Sequence, residues 1–125
     1  MEFDPTQPIW LQLVDEFSRR ISVGIWPAGQ RIPGVRDLAG DLAVNPNTVQ
    51  RALAELERRD LCRSERTSGR FVTEDSSRIT ALRQELAVGA ADEFVTRARG
   101  FGLSLDAAQG LVGQLWESTA PPTKG

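Results

Sequence analysis

Apolar residues recur at three- and four-residue spacing in five stretches of the chain, and each stretch predicts an amphipathic helix. The first runs from Pro8 to about Ile25, with Ile9, Leu13, Val14, Phe17, Ile21 and Ile25 on one face and Trp10 alongside. It starts at a proline and is broken by Trp26-Pro27-Ala28-Gly29. The second is short, with Val35, Leu38, Ala39 and Leu42 on its stripe; Ala39 is small where a neighbouring helix would cross. A tight turn then leads to Asn45-Pro46, a strong helix start. The asparagine side chain can cap free backbone N–H groups, and proline in the first helical position loses nothing. Val49, Ala52, Leu53 and Leu56 form the buried stripe of this third helix. The pattern next changes to two short strands, Leu61–Arg66 and Gly69–Val72, flanking a basic turn. Gln30-Arg31-Ile32 is a candidate edge strand. The predicted order is helix, strand, helix, helix, strand, wing, strand.

After a polar bridge, Thr73 to Ser77, the helical period returns from about Ser77 to Arg99. Ile79, Leu82, Leu86, Ala90, Phe94 and Ala98 make one stripe, and Ala81, Val88, Ala91 and Val95 a second. Gly100-Phe101-Gly102-Leu103 should stop this helix. Ser104 can cap a last one carrying Ala108, Leu111, Val112, Leu115 and Trp116. Two helices of roughly 40 residues cannot bury two broad apolar stripes by themselves. The hairpin is therefore expected to pack against its copy through Leu82, Leu86, Gly89, Ala90, Phe94, Leu111 and Leu115, with the small residues around Gly89 allowing close approach. Packing within one chain is the alternative. The expected fold is mainly α with a small β-wing: a winged helix-turn-helix over 1–75, a two-helix dimerisation hairpin over 76–119, and a disordered tail over 120–125.

The second and third helices have the form of a helix-turn-helix. Asn47, Gln50 and Arg51 fall opposite the buried stripe of the third helix, with Thr48 near its tip, and no acid precedes Glu55. Amides can pair with adenine, and arginine with guanine or phosphate. Arg66 and Arg70 flank the turn of the wing, suited to a DNA backbone or minor groove. A solvated helix and an ordinary hairpin would show much of the same pattern.

Charge refines this picture. The 125 residues carry a formal net charge of −2, while residues 31–72 hold 8 arginines against 6 acids, a surplus of two. Bulk attraction to nucleic acid is thus weak, so binding must rest on placed phosphate contacts and fall steeply with salt. Catalysis is not expected. The chain has no histidine and no tyrosine, so histidine triads and histidine metal sites are excluded. No phosphate-cradling loop appears, and Asp15-Glu16 and Asp92-Glu93 read as solvated pairs. The single cysteine, Cys62, cannot form an internal disulfide. There is no apolar run near about 18 residues and no leader pattern, so a cytoplasmic protein without membrane contact is expected.

Three blocks, Pro8-Ile9-Trp10-Leu11-Gln12-Leu13, Trp26 through Ala39, and Val44-Asn45-Pro46-Asn47-Thr48-Val49-Gln50-Arg51-Ala52, together resemble the DNA-binding domain of GntR-type transcriptional regulators. The likeness covers Pro8 to Val72. The Asn-Pro-Asn-Thr-Val-Gln run and the short helical C-terminus are similar to the YtrA subfamily. The resemblance implies a bacterial regulator with a transporter operon as its target; with the pairing expected of the tail, the expectation is a homodimeric repressor on an inverted-repeat operator. The resemblance also implies that Arg36 grips phosphate, that Asn45, Asn47, Thr48 and Gln50 meet bases and phosphates, and that Ser68, Gly69 and Arg70 form the wing, to which the residue pattern itself adds Arg66 as a DNA contact. Arg51 matches a family arginine that makes either a salt bridge or a phosphate contact. Other branches append effector-binding or aminotransferase-like domains; this tail is too short for either, so no pyridoxal cofactor is expected. The chain departs from the family at Gly34 (often serine, a helix cap), Ala43 (usually glycine), Pro46 (arginine in some relatives), Thr67 (commonly glycine) and Ser68 (commonly a cation).

Two other functions fit less of the pattern. A winged-helix protein-interaction module would expose apolar anchors rather than a polar tip. A small-molecule sensor could use Phe94, Phe101 and Trp116 as a pocket, and this is compatible with DNA binding.

Overall fold

The computed structural model describes residues 1–119; the tail expected over 120–125 lies outside the described residues. The elements are α1 (Ile9–Ser22), α2 (Val35–Leu42), α3 (Pro46–Arg58), β1 (Cys62–Glu65), β2 (Gly69–Val72), α4 (Ser76–Gly100) and α5 (Leu105–Ser118). The chain divides into two compact units, Met1–Arg83 and the part from Gln84 onward. No described helix is long and apolar enough to cross a membrane.

In the first unit the predicted stripes meet. Leu13, Val14, Phe17 and Ile21 of α1 face Val49, Ala52, Leu53 and Leu56 of α3, and all are buried. Leu38 and Ala39 of α2 close the same core, with Ile32, Leu61 and Val72. Each large side chain sealed in this way contributes about 1.5–3 kcal/mol. α1 ends earlier than its stripe suggests. Gly24 turns the chain at φ +82°, so Ile25 leaves the helix and stands exposed, while Trp26 folds back against Phe17 with ring centres 5.0 Å apart.

Three helices end in one way. The Val44 N–H reaches the Ala39 carbonyl, the Leu61 N–H that of Leu56, and the Leu103 N–H that of Ala98, at 2.9–3.0 Å. Each closure needs a left-handed residue: Ala43 (φ 55°), Asp60 (φ 61°) and Gly102 (φ 81°). Only the last is a glycine, so alanine in the helix-helix turn, where the family usually has glycine, carries backbone strain.

β1 and β2 pair antiparallel, with Cys62 opposite Val72 and Ser64 opposite Arg70. The expected third strand contracts to a single bridge, Arg31 opposite Phe71. Gly29 in a left-handed turn and Pro33, which has no N–H, leave room for no more. Even so, the Ile32 N–H bonds the Arg70 carbonyl at 2.8 Å and the Val72 N–H the Gln30 carbonyl at 2.9 Å, tying the hairpin to the loop before α2.

The sequence pattern puts a boundary at residue 75, whereas the compact first unit runs on through Arg83. Leu82 is only 4 % exposed and the Arg83 Nη2 donates to the Ser22 carbonyl at 2.9 Å, so the opening turns of α4 pack with the winged core. In the second unit Ser104 caps α5 by accepting from the Ala107 N–H at 3.1 Å. No residue of α5 is buried.

Candidate nucleic-acid interface

Residues at the start of α3 are placed by its cap. The Asn45 Oδ1 accepts from the Asn47 N–H at 2.8 Å, and Pro46 occupies the first helical position. The cap uses the oxygen of Asn45 and leaves its amide N–H groups for an outside partner. Asn45, Asn47 and Gln50 are exposed and Thr48 is half-buried, while Val49 and Ala52 fix the opposite face in the core. A polar surface free of carboxylates stands at this helix end.

α2 has no such cap. Gly34 precedes it with no side chain to serve the first N–H groups. Arg36, the second residue of that helix, lies exposed. Among the described residues, Arg36 and Arg66 make no hydrogen bond or ion pair within the chain, which leaves both guanidinium groups open to an outside partner. Other cations are committed. Arg58 and Arg59 both bind Glu55, and their hydrogen bonds hold its carboxyl down at about 2. Arg63 lies over the Phe71 ring and pairs with Glu65 at 3.2 Å.

Among the described residues Arg51 forms no salt bridge. Its guanidinium stacks on Trp10 of α1, 4.1 Å from the ring centre, and stays exposed. The stack holds the charge at the edge of the α3 surface.

The wing turn is Arg66-Thr67-Ser68, with Arg66 and Ser68 exposed. Sequence patterning misses the residue that braces it. The Arg31 Nε donates to the Ser68 carbonyl at 2.9 Å, and a Cβ added to Gly69 (φ +101°) would come within 3.0 Å of that Nε. Gly69 thus serves the wing through its backbone. Arg31 lies 37 residues from Ser68, and no local period could have linked them. Arg70 does not stand at the tip. Its side chain is 19 % exposed and leans on α3, where Nη1 donates to the Gln50 Oε1 at 3.3 Å and Nε lies 3.6 Å from the Glu57 carboxylate.

The Cys62 thiol is buried beneath this surface, and desolvation pushes its pKa up to about 11. It is a packing residue.

In the second unit, Leu86 and Phe94 are half-buried, while Gly89, Ala90, Leu111 and Leu115 are exposed; Leu82 belongs to the core of the first unit. Val88, Val95, Val112 and Trp116 are also bare, Trp116 at 80 %. Phe94 and Phe101 line one groove of the hairpin with Ala90, Leu103 and Leu111.

Residues 10–72 match the model of the bacterial regulatory proteins of the gntR family. The chain is 33 % identical to the HTH-type transcriptional regulator YhcF of Bacillus subtilis (strain 168), over 82 % of this chain and 85 % of that one. It is 30 % identical to the HTH-type transcriptional repressor YtrA of the same organism, over 69 % and 72 % respectively. A solved GntR family transcriptional regulator from Listeria monocytogenes superposes with a TM-score of 0.84 at 34 % identity, covering 90 % of this chain and 98 % of its own.

Proposed function

The chain belongs to the GntR family of DNA-binding transcriptional regulators, and within it to the YtrA subfamily; from that premise we propose that it is a cytoplasmic homodimeric repressor of an inverted-repeat operator. It is a regulator and not an enzyme. The observation that carries the DNA-reading surface is the exposed, carboxylate-free end of α3, with Asn45, Asn47 and Gln50 presented around a satisfied helix cap. Thr48 lies at the margin of this surface. Arg36, Arg51, Arg66 and Ser68 supply backbone contacts around it, and Gly69 and Arg70 shape the wing.

Pairing of two chains is assigned to the helices from Ser76 onward, through Leu86, Gly89, Ala90, Phe94, Leu111 and Leu115, joined by Val112 and Trp116. The support is physical. α5 is a whole helix with no buried residue, and its bare apolar side chains are too many for water to hold exposed without cost. A two-fold pair sets two recognition helices on half-sites about one helical turn apart, which requires a symmetric operator. The repressor assignment follows the name of the YtrA relative, and the subfamily resemblance adds a transporter operon as target.

Selection of duplexes from a random pool by the full chain tests this reading. A symmetric motif is expected. Asn47→Ala should cost roughly 1–3 kcal/mol and relax one base position per half-site. Arg36→Ala should weaken all sequences alike and flatten the salt dependence. Recovery of no motif would overturn the proposal.

A further inference from the structure

Gln50 and Arg70 stand on different elements, α3 and β2, and 20 residues apart, yet their side chains meet. We propose that Arg70 sets which base Gln50 reads, by engaging its amide oxygen and so turning guanine, rather than adenine, into the preferred partner. This inference rests on the DNA-reading role of α3.

The chemistry is one-sided. Arginine has only donors, so the Gln50 group 3.3 Å from the Arg70 Nη1 must be the oxygen, and the amide nitrogen points the other way. A glutamine that pairs with adenine uses both ends of its amide on one base edge, accepting from N6 and donating to N7. That pose requires Gln50 to release Arg70. The release is opposed because Gln50 is the hydrogen-bond acceptor Arg70 has, its covered Nε having none. Losing the Gln50 oxygen would leave the Arg70 guanidinium with only the Glu57 carboxylate, 3.6 Å from its Nε, as a partner among the described residues. Arg70 is itself held in place. Glu57, seven residues along the same face of α3, lies 3.6 Å from the Arg70 Nε and accepts from the Ser64 hydroxyl at 2.5 Å. Ser64 is the cross-strand partner of Arg70. The chain of contacts runs from Ser64 through Glu57 and Arg70 to Gln50. At its end, Gln50 offers N–H donors beside a fixed positive charge. Guanine, with acceptors at both N7 and O6, suits that arrangement best.

The test is duplex selection with the full wild-type chain and with Gln50→Ala, Gln50→Glu and Arg70→Met, each checked for fold by circular dichroism. The motif column that Gln50→Ala relaxes identifies the base Gln50 reads. In the wild type this column should be guanine. Arg70→Met, which keeps the aliphatic stem, should shift it toward adenine by at least about fivefold in relative affinity, leaving other columns unchanged. Gln50→Glu keeps the Arg70 partner but has no donor, and should abolish the guanine preference. Adenine in that column of the wild-type motif overturns the proposal; this comparison needs only variants of the exposed Gln50 and survives any misfolding of Arg70→Met. An unchanged preference in folded Arg70→Met also overturns it. A wild-type motif with no column sensitive to Gln50→Ala overturns it while leaving DNA reading intact, whereas failure to select any motif removes the functional premise itself.

Discussion

The Arg51 guanidinium rests on the Trp10 ring at 4.1 Å from its centre, joining the exposed side of α3 to the first turn of α1. A cation on an indole face at the protein surface gains about 0.5–1 kcal/mol. The contact also restricts a long side chain at the border of the proposed DNA-reading surface, which would lower the entropy lost on binding. Trp10→Leu should therefore weaken every duplex by a similar few-fold factor without changing the selected motif, and Trp10→Phe should do so less. Fluorescence anisotropy with cognate and scrambled duplexes measures both. A change of motif would mean that Arg51 reads a base.

Ala43 holds φ 55° in the turn between α2 and α3. A left-handed alanine costs roughly 1–2 kcal/mol, and glycine returns part of the gain as extra freedom in the unfolded chain. Ala43→Gly should raise stability by about 0.5–1 kcal/mol, seen as a higher urea midpoint at unchanged slope. A lower midpoint would show that the Ala43 methyl makes a packing contact worth more than the strain.

How far these features can be read from residues alone depends on their range. The stripes of α1, α2 and α3, the Asn45 cap and the closure at Gly102 follow from spacings within one or two turns. The strain at Ala43 was legible only because the family resemblance marks a glycine there. The contacts that shape the candidate site are different in kind. Arg31 to Ser68, Arg70 to Gln50 and Arg51 to Trp10 each join separate elements, and arginine at any of these positions reads equally well as a solvated charge. Leu82 shows the converse limit. It fits the tail stripe as well as Leu86 does, and only the packed fold assigns it to the winged core.

Cys62 is 5 % exposed and its thiol is pushed up to about 11 by burial. Only the thiolate reacts with alkylating agents. Iodoacetamide at pH 8 should label the native chain far more slowly than the urea-unfolded chain, where the pKa returns to about 8.5. The labelling rate on adding denaturant should follow the unfolded population. Rapid labelling without denaturant would contradict the packing of β1 against α3.

The bare face of α5 gives a direct stoichiometric expectation. Leu115→Asp places a charge on a side chain that is 54 % exposed in the single chain, so the fold of that chain should survive. Sedimentation should show a dimer for the wild type at micromolar concentration and a monomer for the variant. The variant should also lose at least about a hundredfold in affinity for a two-half-site duplex, by loss of the linked second contact. Wild-type monomer at that concentration would end the pairing proposal.

Hydroxyl-radical footprinting of the wild-type chain on a selected duplex tests the central claim most directly. Two protected windows should appear on one face of the duplex, about 10 base pairs apart from centre to centre and related by a two-fold axis in the sequence. A single window, or even protection that ignores sequence, would contradict a paired reader built on the polar end of α3.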